Sequence, residues 1–313
     1  MASRNWTSWR SAILRQSLIN FRLGLCLLAL AGWQRMACAV DVYTIDISSS
    51  KSQFSDSHIL HLLHDALEAS RPKYGAYELT VASLRMERDR LLQEMLKGEL
   101  VNLSGQVTSQ EWEQKLVPIR IPLDKGISCY RISLIDSRNQ ELFSAVRNLD
   151  QLKALSLGTG RQWSMTTTYK QAGFHVVEGS TSVGLHSMLA AGRFQHFPRA
   201  IDEAVYEQAA YQLDFPTLAL ERSFALYVPS PRYFFLGGPQ QKRLAQRLEY
   251  GMQLLIADGR FDQLFHQFYD GLIDKVGLRK RRIFRLENPL LSPQTPLSNK
   301  AYWYDPLEQR SLR

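Results

Sequence analysis

From residue 40 onward, short stretches that alternate apolar and polar residues are separated by longer stretches with apolar residues three and four apart. The strand pattern occupies three stretches: residues 40–47 (VDVYTIDI), 77–84 and 100–103. A helical pattern follows a capping Ser55 or Asp56, and a second one covers residues 86–97, where Gly98 is placed to end the helix. This order predicts a βαβαβ unit with a parallel sheet.

The same alternation restarts after a polar stretch at 136–140. A strand pattern at 127–135 (ISCYRISLI) precedes that stretch. Beyond it, further strands are predicted at 154–157, 174–177, 195–198 and 224–228. Helices are predicted at 149–153, 164–172, 182–191, 201–210, 240–257 and 260–269, and residues 158–160 (GTG) are predicted to form a turn.

Two α/β lobes follow from this pattern. The first is predicted to comprise 40–135 and 222–275, the second 136–221, with a tail at 276–313. Two crossing strands should form a hinge, and a ligand should bind between the lobes, beyond the carboxyl ends of the strands.

The first 39 residues have the pattern of a cleaved secretion signal. They contain five arginines and no acidic residue, an uncharged run at 23–33 (LGLCLLALAGW), and then Ala37-Cys38-Ala39. Eleven residues in a helix rise about 16 Å, which is roughly half a bilayer core. The alternative is an uncleaved anchor extended upstream, but the cleaved signal predicts a periplasmic protein.

Composition supports a soluble protein of ordinary type. The 313 residues are 45% hydrophobic and 22% charged, which excludes disorder and fibrous classes. Removing residues 1–39 lowers the formal charge from +8 to +3, so we expect no nucleic-acid partner. The basic residues at 279–285 are expected on a solvated face or an exposed terminal segment. Cys129 is then the single cysteine, which excludes an internal disulfide; it should be buried and inert.

The region from residue 155 to 200 resembles the family 3 periplasmic solute-binding proteins, the receptors of amino-acid ABC importers. It has a strand, a Gly-containing turn, a helix, a strand, and a helix closing on Gly192-Arg193. Gly259-Arg260-Phe261 after the helix at 248–258 is similar to the family's final segment, and the likeness spans about 40–270. The block at 119–126 (IRIPLDKG) and Phe197-Pro198-Arg199 look closest to an uncharacterised sub-branch.

The resemblance implies a two-lobed, type II periplasmic-binding-protein-like α/β fold, with a small-molecule ligand and an ABC permease as partners. The family places an arginine just past a first-lobe threonine to bind the carboxylate of an amino acid, but Thr108 is followed by no arginine. Gln195 stands where an acid is expected to bind the amine. Standard amino acids should therefore bind poorly.

Candidate ligand-binding residues cluster at predicted strand ends. Free N–H groups at the start of a helix, together with a hydroxyl and a guanidinium, suit an anion, and Trp163 could either stack on a ligand or staple its helix to the sheet. Arg199 could bind a ligand or pair with Glu203 four residues on. The full set is Thr159, Gly160, Arg161, Trp163, Arg120, Arg131 and Arg199.

No catalytic set stands out, and no cofactor or metal is expected. His58, His61 and His64 are three apart, but nothing completes a ligand set, so a solvated helix face is the prediction. The expected function is an exported, monomeric binding protein that captures a small polar, anionic solute for an importer. A transporter-independent sensing module is the alternative, and an enzyme on the same scaffold is a further one.

Overall fold

A five-stranded sheet is built from the amino-terminal third of the chain and one later strand. The computed structural model describes residues 40–47, 53–82, 86–161 and 163–308, without the side chains of 53–56. The strand order is β2-β1-β3-β11-β4, with the strands at Asp41–Asp46 (β1), Tyr77–Ala82 (β2), Leu103–Val107 (β3), Val117–Ile119 (β4) and Arg232–Leu236 (β11). β1 runs parallel to β2 and β3, while β11 runs antiparallel to β3 and β4. The predicted parallel βαβαβ unit is present.

Four helices accompany this sheet: Gln53–Tyr74 (α1), Arg88–Lys97 (α2), Gln110–Lys115 (α3) and Gln241–Ala257 (α9). The buried faces of α1 and α9 meet in one core with Tyr43 and Ile45 of β1. Gly98 ends α2 with φ 71°, a left-handed conformation that favours glycine and was expected there.

The second sheet has the order β12-β10-β5-β8-β6-β7, with β9 paired to β5. Its strands are Tyr130–Asp136 (β5), Leu157–Gly160 (β6), Val176–Gly179 (β7), His196–Ala200 (β8), Leu218–Leu220 (β9), Phe224–Tyr227 (β10) and Arg282–Arg285 (β12). Its helices are Gln140–Ser144 (α4), Leu149–Lys153 (α5), Ser164–Gln171 (α6), Ser182–Ala190 (α7) and Ile201–Tyr211 (α8). Arg260–Val276 (α10) packs with α8 and β5 in a separate core. These two sheets confirm the predicted α/β fold class.

Two strands that were expected in the first lobe belong to the second sheet. The sequence placed 127–135 and 224–228 in the first lobe, but β5 pairs with β8, β9 and β10 in the second sheet. Both strands are largely buried on both faces, so their sequence pattern indicates burial but not which sheet they join. The predicted lobe limits themselves stay a prediction.

α9 and α10 connect β11 to β12, and two adjacent irregular segments make the other connections between the sheets. One is 120–129 between β4 and β5, and the other is 228–231 between β10 and β11; we call them the crossing segments. The amide of Val228 donates to the carbonyl of Cys129 (3.0 Å), and that of Leu123 to the carbonyl of Arg232 (3.0 Å). We expected crossing strands at these positions. The segments are irregular instead, because their three prolines lack the N–H group that strand pairing requires.

Several predicted strands are displaced along the chain. The strand expected at 100–103 is Leu103–Val107, and the one at 154–157 is Leu157–Gly160. Both true strands contain glycine and buried polar residues, such as Ser104 and Thr159, that weaken the apolar signal.

The described part of the tail, residues 276–308, contains a further strand of the second sheet. β12 pairs in parallel with β10. Arg281 is buried, and its guanidinium donates to the carbonyls of Val276 (2.8 Å) and Phe224 (2.9 Å). The guanidinium of Arg285 lies 4.8 Å from the ring centre of Tyr227. This basic stretch is therefore structural, and not simply a solvated face.

The predicted signal at 1–39 lies outside the described residues. Within the part that is described, none of the helices combines the length and apolarity that a membrane crossing requires.

Candidate functional site

Thr159 and Gly160 lie inside β6 and are buried, so the predicted GTG turn is wrong. A Cβ atom on Gly160 would come within 2.4 Å of the indole of Trp163. Glycine is needed here because the indole lies flat against the strand. The hydroxyl of Thr159 is 3.0 Å from that of Thr166, which donates to the carbonyl of Gly160 (2.6 Å).

The backbone N–H groups after β6 are largely occupied. The amide of Arg161 donates to the carbonyl of Gly179 (3.0 Å) and extends the pairing with β7. The amide of Trp163 donates to the carbonyl of Gly160 (3.0 Å). The expectation of free amides is wrong for these two. The Arg161 side chain is exposed at the carboxyl end of β6, and it makes no hydrogen bond to any described residue.

Trp163 staples its helix to the second sheet, which resolves the alternatives that the sequence left open. Its indole stacks on the ring of Phe197 in β8, with centroids 5.9 Å apart and an interplanar angle of 21°. The guanidinium carbon of Arg199 lies 4.4 Å from the indole centre on a favourable cation–π approach.

Arg199 is buried and neutralised by two carboxylates on α8. Its Nε and Nη2 atoms donate to Glu207 at 2.8–3.1 Å, and Nη2 is 3.3 Å from Glu203. Burial alone would raise the pKa of Glu203, but Arg199 holds it down at about 2. His186 Nε2 lies 3.3 Å from Glu207. Arg199 therefore pairs with Glu203, and it also pairs with Glu207, which lies one helical turn further along α8.

Arg131 differs from Arg199 in lacking a counterion bond. Its side chain lies in β5 and the residue is only 7% exposed, yet Nε has no hydrogen-bond partner in the described residues. The buried hydroxyl of Tyr169 in α6 also lacks one. Burial raises the pKa of Tyr169, while the positive charges of Arg131 and Arg199 oppose that rise. Two unsatisfied donors therefore face the same buried region.

Arg120 lies on the other sheet, apart from these residues. Its Nε and Nη2 donate to Glu113 at 3.0 and 2.8 Å. The hydroxyl of Thr108 donates to the same carboxylate, and Arg88 donates to the carbonyl of Val107 (2.7 Å). Arginines thus do lie near Thr108, although none follows it closely in sequence. β4 and α2 bring them there, so local spacing around Thr108 gave no signal.

Gln195 has a structural role at the opposite edge of the sheet. Its Oε1 accepts from the amide and hydroxyl of Ser156 at 2.8 and 3.1 Å. Both residues immediately precede parallel strands, β6 and β8, so they lie at the amino edge. Gln195 therefore ties the starts of two strands together and lies far along the strands from their carboxyl ends.

A buried charged cluster that the sequence did not reveal lies where the two halves meet. Arg232 Nη1 of β11 is 3.5 Å from Asp202 of α8, and neither carboxylate oxygen of Asp202 has a hydrogen bond to a described residue. Burial raises the pKa of Asp124 in the first crossing segment. Each member is distant in sequence from its partner, so no motif marks the cluster.

His58 belongs to this buried region, whereas His61 and His64 are exposed, so the prediction of a solvated histidine face is wrong for His58 only. Its ring packs edge-on against Phe268 and Tyr269 of α10, with centroids 5.2 and 5.0 Å apart. Burial, followed by the charge of Arg232, lowers the pKa of His58 to about 3. Among the described residues, no group of three or more His, Cys, Asp or Glu is placed to hold a metal ion.

Cys129 is buried, as predicted. Its Sγ accepts a hydrogen bond from the amide of Ser230 (3.3 Å), and burial raises the pKa of its thiol to about 12. A thiol held protonated in this way is a weak nucleophile.

A cavity of about 330 Å³ opens between α7 and α8. It holds none of the seven predicted residues and is lined by Thr181, Ser182, Val183, Tyr206, Glu207 and Tyr211. Its one charged group, Glu207, is already bonded to Arg199.

No family model and no curated protein matches the chain. Among solved structures, an ancestral arginine-binding protein bound to arginine aligns with a TM-score of 0.49 and 11% identity, covering 73% of this chain and 98% of that one. The arginine-, lysine-, histidine-binding protein ArtJ from Geobacillus stearothermophilus gives 0.47 and 15%, covering 76% and 99%. Lactococcus lactis GlnP substrate binding domain 2, in an open conformation, gives 0.44 and 16%, covering 74% and 97%. At these TM-scores and identities the likeness carries no argument about function.

Proposed function

We propose that this protein is an exported solute-binding protein that captures a small anionic solute between its two sheets and delivers it to an ABC importer. The observation that carries the proposal is a pair of arginines on the second sheet that form no ion pair with any described residue. Arg161 is exposed at the carboxyl end of β6, and Arg131 is buried with an unpartnered Nε. In open α/β sheets, ligands bind beyond the carboxyl ends of the strands.

The remaining predicted residues support this site in different ways. Thr159 and Gly160 shape the end of β6, and Trp163 with Arg199 forms the wall beside it. Because Glu203 and Glu207 already neutralise Arg199, the solute's negative charge is assigned to Arg161 and Arg131. Arg120 belongs to the facing sheet and is bonded to Glu113, so it would contribute only if that pair opens.

Replacing Arg161 tests the site. Arg161→Ala should weaken binding by roughly 1.5–3 kcal/mol, about ten- to a hundredfold, because a charge-assisted hydrogen bond is lost. Isothermal titration calorimetry with sulfate, phosphate, small mono- and dicarboxylates and the common amino acids would first identify a ligand. Mass spectrometry of molecules released from the denatured protein would extend that panel.

Arg193→Ala is the matched control. Arg193 is also an exposed arginine of the second sheet, but it precedes β8 and so lies toward the amino edge. It should leave affinity unchanged. Equal affinity of the wild type and the Arg161→Ala/Trp163→Ala double variant would refute the site. Tight binding of a common amino acid would refute the proposed ligand class.

Export is tested separately. If residues 1–39 are a cleaved signal, N-terminal sequencing of protein recovered from the periplasm should begin at Val40. An intact Met1 in that fraction would remove the argument for the compartment.

A further inference from the structure

The segment at residues 286–304, which we call the strap, bonds to both crossing segments. The side-chain amide of Asn288 donates to the carbonyl of Pro229 in the second crossing segment (2.7 Å). The backbone amide of Tyr304 donates to the carbonyl of Lys125 in the first (2.8 Å). The two ends of one stretch of chain therefore bond to both crossing segments.

The strap also packs into the hydrophobic cores of both halves. Leu286 is part of the core under the second sheet. Tyr302 packs against the core of the first sheet, and its hydroxyl accepts from Gln253 of α9 (2.7 Å). Tyr304 lies against Phe265 of α10, with ring centroids 5.2 Å apart. A change in the relative position of the two sheets must disturb at least one of these contacts.

The strap covers a turn with unfavourable backbone geometry. Lys125 has φ 49°, and it is the only non-glycine residue with positive φ among the described residues. Its ammonium group donates to the carbonyl of Ala301 (3.1 Å) in the strap and also bonds Asp262. A Cβ on the next residue, Gly126, would lie 2.5 Å from the Trp303 ring. Such a conformation persists only where its surroundings enforce it, and these positions are common in segments that switch.

The first crossing segment is buried along nearly its whole length. Every residue from Ile121 to Tyr130 is buried. A hinge needs a few residues whose backbone angles can change. Here the strap occupies the space beside them, so it must shift before they can.

We propose that the strap is a lock on the junction between the two sheets. While it is seated, the strained Lys125–Gly126 turn and the paired crossing segments hold one arrangement of the sheets. When it lifts, the turn relaxes and the halves can move apart. The effect on solute affinity rests on the proposed function, but the lock itself does not.

Cys129 offers a probe of the lock that needs no ligand. It lies in the first crossing segment, is fully buried, and accepts a hydrogen bond from Ser230 of the second. Alkylation of Cys129 therefore requires the crossing segments to separate. Labelling the full chain with N-ethylmaleimide and following the Cys129 peptide by mass spectrometry measures this opening apart from Cys26 and Cys38.

Asn288→Ala and Trp303→Ala should accelerate the alkylation of Cys129. Loss of the Asn288 bond to Pro229 should raise the rate roughly fivefold, and loss of the indole over Gly126 at least about tenfold. Because the opening is local, the accelerated rate should depend only weakly on added urea, which acts in proportion to the surface exposed.

Leu91→Ala is the matched control. Leu91 is fully buried in the core between α2 and the first sheet, and none of the apolar residues of that core belongs to the strap. That variant should lower global stability and raise Cys129 labelling only with a steep urea dependence. If strap variants as stable as Leu91→Ala show the same steep urea dependence of Cys129 labelling, the lock is refuted. A lock confirmed by labelling in a protein that binds no solute would instead refute the proposed function.

Discussion

Each half of the molecule contains a buried arginine with several partners, and the two arginines are satisfied in different ways. Arg247 of α9 donates to the carbonyls of Gly75 (2.6 Å) and Ala76 (2.9 Å), to the hydroxyl of Ser70, and to Asp41. Arg199 in the second half faces the carboxylates of Glu203 and Glu207 and the indole of Trp163.

Arg247 therefore depends largely on backbone carbonyls, whereas Arg199 depends on the charges of two carboxylates. Arg247 closes the chain just after α1 and fixes it to β1 and α9, so the first half is held by bonds to groups that no substitution can remove. Arg199 is held by two side-chain charges that a substitution can neutralise. Buried charges are costly when unpaired, whereas a fully neutral replacement can be tolerated.

Replacing either arginine should cause the largest loss of stability. Arg199→Met leaves two acidic groups without their cation, and Arg247→Met leaves two carbonyls without donors. Each should lower the free energy of unfolding by roughly 3–5 kcal/mol at pH 7, as measured by urea denaturation. A loss below about 1 kcal/mol in either variant would show that the guanidinium concerned is not needed where it lies.

A second substitution should separate the two cases. Adding Glu207→Gln to Arg199→Met should recover roughly 1–3 kcal/mol, because it removes an unpaired buried charge. Adding Asp41→Asn to Arg247→Met should recover less, because the carbonyls of Gly75 and Ala76 still lack a donor and Arg243 already pairs with Asp41 (2.7 Å). Equal recovery in both halves would contradict the distinction.

Acid should affect the two halves alike through His58 in the first half and His196 in the second. Burial lowers the pKa of His58 and of His196 to about 3. Since the unfolded chain protonates histidine near pH 6.5, it binds more protons than the folded chain between that pH and about 3. Their contribution to stability is complete above about pH 6.5 and is lost progressively as the pH falls toward 3.

The slope of this loss is the smallest predicted effect. Each histidine should contribute about 1.4 kcal/mol per pH unit between roughly pH 6 and 4. His58→Gln and His196→Gln should each lower the measured slope by that amount in urea denaturation at several pH values. An unchanged slope in one variant would show that the histidine concerned titrates normally in the folded state.

Much of the local structure was predictable from the sequence. Helices at 149–153, 182–191 and 240–257 match the observed ones within a residue, because a repeated apolar face records which side is buried. The burial of Cys129 was also predicted. Strands with glycine and polar residues were displaced, since Gly158 and Gly160 leave room for the rings of Phe194 and Trp163 that come from outside the strand.

The candidate site was predicted only in part. From the sequence, arginines were chosen as anion binders by residue type alone. In the structure they differ in whether a carboxylate already pairs with them. Glu113 pairs with Arg120 and Glu207 with Arg199, while Arg131 keeps an unpartnered Nε. Glu113 and Arg120 lie seven residues apart and Arg199 and Glu207 eight, so only the folded chain decides that they meet.

By itself the sequence determined the two-part α/β plan, the periodic helices and the residues able to bind an anion. Those features follow from local periodicity and side-chain chemistry. The tertiary structure alone decided that β5 and β10 join the second sheet, that β12 and the strap complete the molecule, and that Arg120 and Arg199 are paired with carboxylates. A pattern of apolar residues states that a face is buried, but not against which partner. Pairing between strands and charges far apart in the chain settles that choice.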